Sequence, residues 1–219
     1  MSKAVYDRML KHKIVAIVRG FDPETVVKLA GAYVDGGIRC MEVTFDQASH
    51  DNRLQTVRAI EALKEKFGDE ICVGAGTVMT PEQARMAAAA GAEYMIAPNV
   101  DAEVIAETKA LGKLSIPGAM TPTEIALGYK LGGDIIKLFP ANEVGISYIK
   151  AIKAPLNHIP ILAAGGVRPE NAADYLNAGC SVLGIGGDLV NKQWIAAGEF
   201  HKITQVAKAY VAAVADNAQ

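Results

Sequence analysis

Short apolar runs alternate with longer amphipathic stretches from one end of the chain to the other. The runs are "KIVAIV" (13–18), "CMEVTF" (40–45), "ICVGAG" (71–76), "YMIAP" (94–98), "KLSIP" (113–117), "DIIKLF" (134–139), "PILAAG" (160–165) and "SVLGIG" (181–186). Each is of strand length and bounded by turn formers, so each predicts a β-strand. Four of the intervening stretches carry helix-start signals: "DPETVVKLAGAYVDGG", "TPEQARMAAAAGA", "TPTEIALGYKLGG" and "RPENAADYLNAG". They open on Asp, Thr or Arg followed by proline and then glutamate, and they close on glycine. The unit repeats about every 20–30 residues, the length of a βα module.

Eight β units separated by helices allow an open doubly wound sheet or a closed barrel. No GxGxxG opens the first helix, which weakens the dinucleotide-binding alternative. No run of strands reads as an antiparallel edge. The pattern therefore predicts an α/β fold, one (β/α)8 TIM barrel spanning residues 1–219, with "KQWIAAGEFHKITQVAKAYVAAVA" as a closing helix at about 193–215.

Composition narrows the function. Of 219 residues, 51% are hydrophobic, and 22 basic against 24 acidic residues leave a formal net charge of -2. The charges are mixed along the chain, so no basic block marks a nucleic-acid partner. No apolar run approaches the ~18 residues that span a bilayer. The first residues, "MSKAVYDRMLKHK", resemble neither a signal peptide nor a transit peptide. Cys40, Cys72 and Cys180 are scattered and odd in number, which fits buried thiols in a reduced, cytoplasmic setting. His12, His50, His158 and His201 show no HxH or HExxH spacing, so no metal site is expected.

In a barrel of this kind, reactive groups stand where the strands end. Those positions hold Arg19, Glu42, Thr77, Pro98, Pro117, Lys137, Gly165 and Gly186. Lys137 lies in "GGDIIKLFP", an otherwise apolar run. At a period of two, Ile135 and Lys137 share one face while Ile136 and Leu138 take the other, so the amine is enclosed on either side of the sheet. A structural lysine paired to a carboxylate is one reading. A nucleophile is the other: burial disfavours an ammonium, and a neutral lysine amine condenses with carbonyls. Glu42, between Met41 and Val43, is an ion-pair partner for Lys137 or Arg19, or a proton-transfer group, and the two roles are compatible. Arg19 ends the first strand, where a guanidinium suits a carboxylate or phosphate. The pairs Gly165–Gly166 and Gly186–Gly187 follow the seventh and eighth strands, where backbone N–H groups commonly meet phosphate. Asp188 beside the second pair would repel such a group unless turned away.

Together "AIVRG", "MEVTF", "GAGTV", "IPGAMTPTE", "IIKLFPA" and the Gly-Gly-Val segment followed by "PEN" resemble the class I aldolases for 2-keto-3-deoxy-6-phosphogluconate and 4-hydroxy-2-oxoglutarate, in order over about residues 12–190. The resemblance implies that Lys137 is the Schiff-base lysine and Glu42 the acid/base. It implies that Arg19 and Thr77 hold the keto-acid end, that Phe139 packs near the pyruvyl group, and that Gly165, Gly166, Gly186 and Gly187 surround the far end. It further implies a homotrimer that needs no cofactor, acts on a keto acid and releases pyruvate. Three positions depart from the phosphogluconate pattern: Asp46 stands for arginine, Ala164 for threonine and Asp188 for serine. The galactonate-derived branch also lacks that arginine and carries an aspartate near position 188, so the departures bear on substrate and phosphorylation. Two rival readings lack any account of Lys137: a phosphosugar isomerase or epimerase barrel, and a non-catalytic sugar-acid binding barrel.

Overall fold

The computed structural model describes residues 3–215. Nine parallel strand segments form one sheet: β1 (Ile14–Val18), β2 (Cys40–Thr44), β3 (Cys72–Gly76), β4 (Tyr94–Ile96), β5 (Leu114–Ile116), β6 (Gly118–Ala119), β7 (Ile136–Leu138), β8 (Ile161–Ala164) and β9 (Val182–Ile185). Their order is β5-β4-β3-β2-β1-β9-β8-β7-β6. The fifth expected strand is thus two short segments on either side of Pro117. Proline lacks the N–H that a continuous ladder needs, so β5 pairs with β4 and β6 with β7. Because β5 and β6 follow one another in the chain, they act as one stave and the sheet closes on itself. The architecture is a (β/α)8 barrel.

Alternation within each strand divides the apolar residues into two layers. Ile14, Ala16 and Val18 of β1, Met41 and Val43 of β2, and Ile136 and Leu138 of β7 face the helices. Val15, Cys40, Cys72, Tyr94, Leu114, Ile135, Leu162 and Val182 fill the barrel interior. Two glycines of β3 make that interior possible. A Cβ on Gly74 would lie 2.1 Å from the Tyr94 ring, and one on Gly76 would lie 2.7 Å from the Glu42 carboxyl carbon.

The helices are α1 (Lys3–His12), α2 (Pro23–Asp35), α3 (His50–Phe67), α4 (Pro81–Ala89), α5 (Ala102–Ala110), α6 (Pro122–Lys130), α7 (Ala141–Lys153), α8 (Ala172–Asn177), α9 (Lys192–Ala196) and α10 (Phe200–Ala215). Three of the four predicted starts act as caps: Asp22, Thr80 and Thr121 accept from Thr25, Gln83 and Glu124 backbone N–H groups. The fourth does not. An arginine offers no acceptor to a helix terminus, and α8 begins only after Asn171, whose Oδ1 instead accepts the Arg168 N–H at 2.8 Å.

Where one closing helix is expected at 193–215, the chain forms α9 and α10. Gly198, at φ +70, breaks the run between them. Helix α1 is not foreseen by the strand–helix pattern. It sends Val5 and Met9 into the barrel-interior cluster, and Arg8 donates to the carbonyls of Asp69 and Glu70 ahead of β3. It therefore plugs the end of the barrel opposite the strand C-termini.

Candidate active site

The strand ends open into a cleft of about 320 Å³. It is lined by Arg19, Thr77, Pro98, Lys137, Phe139, Gly165, Gly166, Gly186 and Gly187, together with Ala164, Arg168 and Asp188. Eight of the nine residues singled out from the sequence therefore meet at one mouth. Glu42 lies beneath it.

Lys137 is placed by β7, and Ile135, just ahead of that strand, belongs to the barrel-interior cluster. The Lys137 backbone N–H donates to Pro117 at 2.9 Å, across the break in the fifth stave, and the residue is paired in register with Gly118 and Leu162. The side chain is 8% exposed. Its Nζ stands 5.0 Å from the centroid of the Phe139 ring, two residues along the same face. None of the ion pairs among the described residues includes Lys137. The structural reading, a lysine locked to a carboxylate, is not what this geometry shows.

Glu42 sits in β2 between Ile17 of β1 and Gly74 of β3. Its carboxylate fills the space over Gly76, both oxygens standing 2.8 Å from where a Cβ would be. It is 1% exposed, and its Oε2 has no hydrogen-bond partner. Burial raises its pKa above the ordinary 4.5, with the positive charges of Lys137 and then Arg19 pulling the other way. A carboxyl held this way takes up and releases protons more readily near neutrality than an exposed one.

At one side of the cleft, Arg19 Nη2 donates to Thr77 Oγ1 at 3.0 Å. Thr77 follows β3 at φ +55, a left-handed conformation that is unfavourable for a β-branched residue. Two residues that sequence reasoning missed brace it. Gln47 Nε2 donates to the Thr77 carbonyl at 2.8 Å, and Gln83 Nε2 donates to Gln47 Oε1 at 2.7 Å. Gln83 Oε1 in turn accepts from the Met79 N–H. The sequence signal for Gln83, a polar residue on the inward face of an amphipathic helix, is weak, because helical faces commonly mix types.

At the other side, Gly165 and Gly166 adopt φ +103 and +71, and a Cβ on Gly166 would lie 2.4 Å from Asn142 Cβ. Only glycine fits there. Asp188 accepts from the Tyr210 hydroxyl at 3.1 Å. Asp46 lies outside the cleft; it accepts from the Ala48 N–H and from Asn52 Nδ2, holding the start of the segment between β2 and α3. Among the described residues there is no group of three or more His, Cys, Asp or Glu that could hold a metal ion. No helix among them is long and apolar enough to cross a membrane.

A closed parallel barrel with a cleft at its strand C-termini is the architecture of (β/α)8 enzymes. The chain belongs to the KDPG and KHG aldolase family, whose sequence pattern matches residues 5–206. It is thus a carbon–carbon lyase, and the isomerase and binding-protein readings fall away. The chain is 35% identical to 2-dehydro-3-deoxy-6-phosphogalactonate aldolase of Escherichia coli strain K12, over 95% of this chain and 98% of that one. It is 34% identical to 2-dehydro-3-deoxy-phosphogluconate aldolase of Treponema pallidum strain Nichols, over 93% and 94%. A solved KDPG aldolase from Legionella pneumophila, with pyruvate captured as a covalent carbinolamine, superposes with a TM-score of 0.82. It is 28% identical, over 92% of this chain and 95% of that one.

Proposed function

We propose that this aldolase cleaves a 2-keto-3-deoxy-4-hydroxy sugar acid, reversibly, to pyruvate and an aldehyde such as glyceraldehyde 3-phosphate, through an imine on Lys137. The observation that carries this reading is an almost fully buried lysine that borders the cleft and has no ion-pair partner among the described residues. Once its proton is given up, the Lys137 amine adds to the C2 carbonyl, and Glu42 moves the protons that turn the carbinolamine into an imine and water. Removal of the C4 hydroxyl proton breaks the C3–C4 bond. Its electron pair passes into the protonated imine, giving an enamine while the aldehyde departs. Protonation at C3 and hydrolysis then release pyruvate and restore the amine. In this scheme Arg19 and Thr77 bind the keto-acid carboxylate, and Phe139 packs against the pyruvyl group. Gly165, Gly166, Gly186 and Gly187 receive the far end.

The names of the relatives support substrates of the phosphogluconate, phosphogalactonate or 4-hydroxy-2-oxoglutarate type. A homotrimer in the cytoplasm completes the proposal. Met120, Leu127, Tyr129 and Leu131, on and beside α6, are exposed large apolar side chains of the kind such an assembly would cover.

Steady-state pyruvate release tests the reading. The wild-type chain should release pyruvate from these keto acids, and Lys137→Ala and Lys137→Arg should both lose the activity. Activity retained by Lys137→Ala would overturn the scheme.

A further inference from the structure

The far end of the cleft holds two charged side chains that the mechanism leaves unused. Arg168 lines it from the turn after β8, and Asp188 lines it from the turn after β9. Because α8 starts late, Arg168 is not buried in a helix cap. Asn171 Oδ1 accepts its backbone N–H, and Asn171 Nδ2 donates to the Gly166 carbonyl at 3.0 Å, fixing the turn on which Arg168 stands. The Arg168 guanidinium itself has no hydrogen bond or ion pair among the described residues. Asp188 is not paired with it; its Oδ2 is held by Tyr210 on α10 at 3.1 Å. The Tyr210 hydroxyl also stands 3.0 Å from the Val167 carbonyl, next to Arg168 in the chain. Tyr210 is fully buried, so this one hydroxyl ties both far-end turns to the same helix.

We propose that Arg168 is the side chain that grips an anionic terminus of the substrate, and that Tyr210 is a positioning residue that keeps the Asp188 carboxylate from opposing it. The proposal rests on the aldolase reading above. An anion entering between Gly166 and Gly187 meets a guanidinium free to form charge-assisted hydrogen bonds. An untethered Asp188 would meet the same anion with like charge. The terminus can be a phosphate monoester or a carboxylate, and both share the chemistry that Arg168 recognises.

The test compares kcat/KM for wild type, Arg168→Ala, Tyr210→Phe, Asp188→Asn and the double variant Tyr210→Phe/Asp188→Asn. The substrates are a phosphorylated six-carbon 2-keto-3-deoxy acid, its unphosphorylated counterpart and 4-hydroxy-2-oxoglutarate. Arg168→Ala should lose about tenfold or more on a substrate with a far-end anion and less than about twofold on the unphosphorylated acid. Loss on the phosphorylated acid identifies phosphate as the terminus, and loss on 4-hydroxy-2-oxoglutarate identifies carboxylate. Tyr210→Phe should raise KM for the same anionic substrate, and adding Asp188→Asn should restore it. A merely structural Tyr210 would show no such rescue. Equal loss on all three substrates, loss on none, or no rescue would overturn the proposal. Borohydride trapping of pyruvate on the same variants separates the two levels. Trapping that persists in Arg168→Ala leaves the aldolase reading standing whatever happens at the far end, and wild type that fails to trap removes that reading itself.

Discussion

Glu42→Gln isolates what burial does to the central carboxyl. Glutamine keeps the shape and the neutral polar atoms, so the variant differs from the protonated wild type by little and from the ionised wild type by one buried charge. In the folded chain the carboxyl binds its proton more tightly than in the unfolded chain, because its pKa is raised by burial. Between the ordinary value of 4.5 and the raised one, the native state therefore carries more protons than the unfolded state, and stability falls as pH rises through that window. The loss amounts to about 1.4 kcal/mol for each unit by which the group is raised. The cost of a buried polar group left without a partner, about 1–3 kcal/mol and more when charged, sets the expected scale. Urea unfolding of both proteins at intervals from about pH 4 to pH 8 reads the difference directly. The two should agree at the acidic end, and the variant should become the more stable by about 1–3 kcal/mol at the alkaline end. Turnover at neutral pH should fall by about 10²–10⁴-fold, the usual contribution of a positioned acid/base. Parallel stability curves across the whole range would refute the claim that Glu42 is held as a reluctant anion.

Gly76→Ala places a Cβ 2.7–2.8 Å from the Glu42 carboxyl group. Displacing that group should lower turnover on the order of 10–100-fold, with a destabilisation of about 1–3 kcal/mol in the same urea assay. Met9→Ala removes a fully buried plug side chain at the end of the barrel away from the cleft. It should destabilise by about 2–5 kcal/mol while leaving kcat at moderate temperature near wild type, and a kcat loss without a stability loss would contradict the plug assignment. Leu127→Glu puts a charge among the exposed apolar side chains of α6. Sedimentation velocity should show wild-type trimers and variant monomers, and an unchanged variant would remove these side chains from the interface.

Much of the site was legible because a barrel converts a short-range pattern into a long-range one. Lys137 and Glu42 stood out as charges inside apolar runs, and strand ends in a closed sheet must converge. Three features were not legible, each for a definable reason. The fit of Glu42 over Gly76 depends on the register between β2 and β3, which no single strand encodes. Arg168 was read as part of a helix start because "RPEN" resembles "DPET" and "TPEQ"; only the lack of an acceptor on arginine sends the helix start to Asn171 and leaves the guanidinium at the cleft. Helix α1 fully buries only Val5 and Met9, with Tyr6 and Leu10 packed beside them, and that spacing says nothing about which end of the barrel they cover. The break at Pro117 had a visible cause, since proline cannot donate within a sheet, but its consequence appears only where β6 pairs with β7.

The central claim is that the Lys137 nitrogen bonds covalently to a ketone. Wild-type protein incubated with pyruvate, reduced with borohydride, digested and analysed by mass spectrometry should carry one reduced pyruvyl group, on the peptide containing Lys137. A label on a different lysine, or catalytically competent protein that stays unlabelled, would contradict the account.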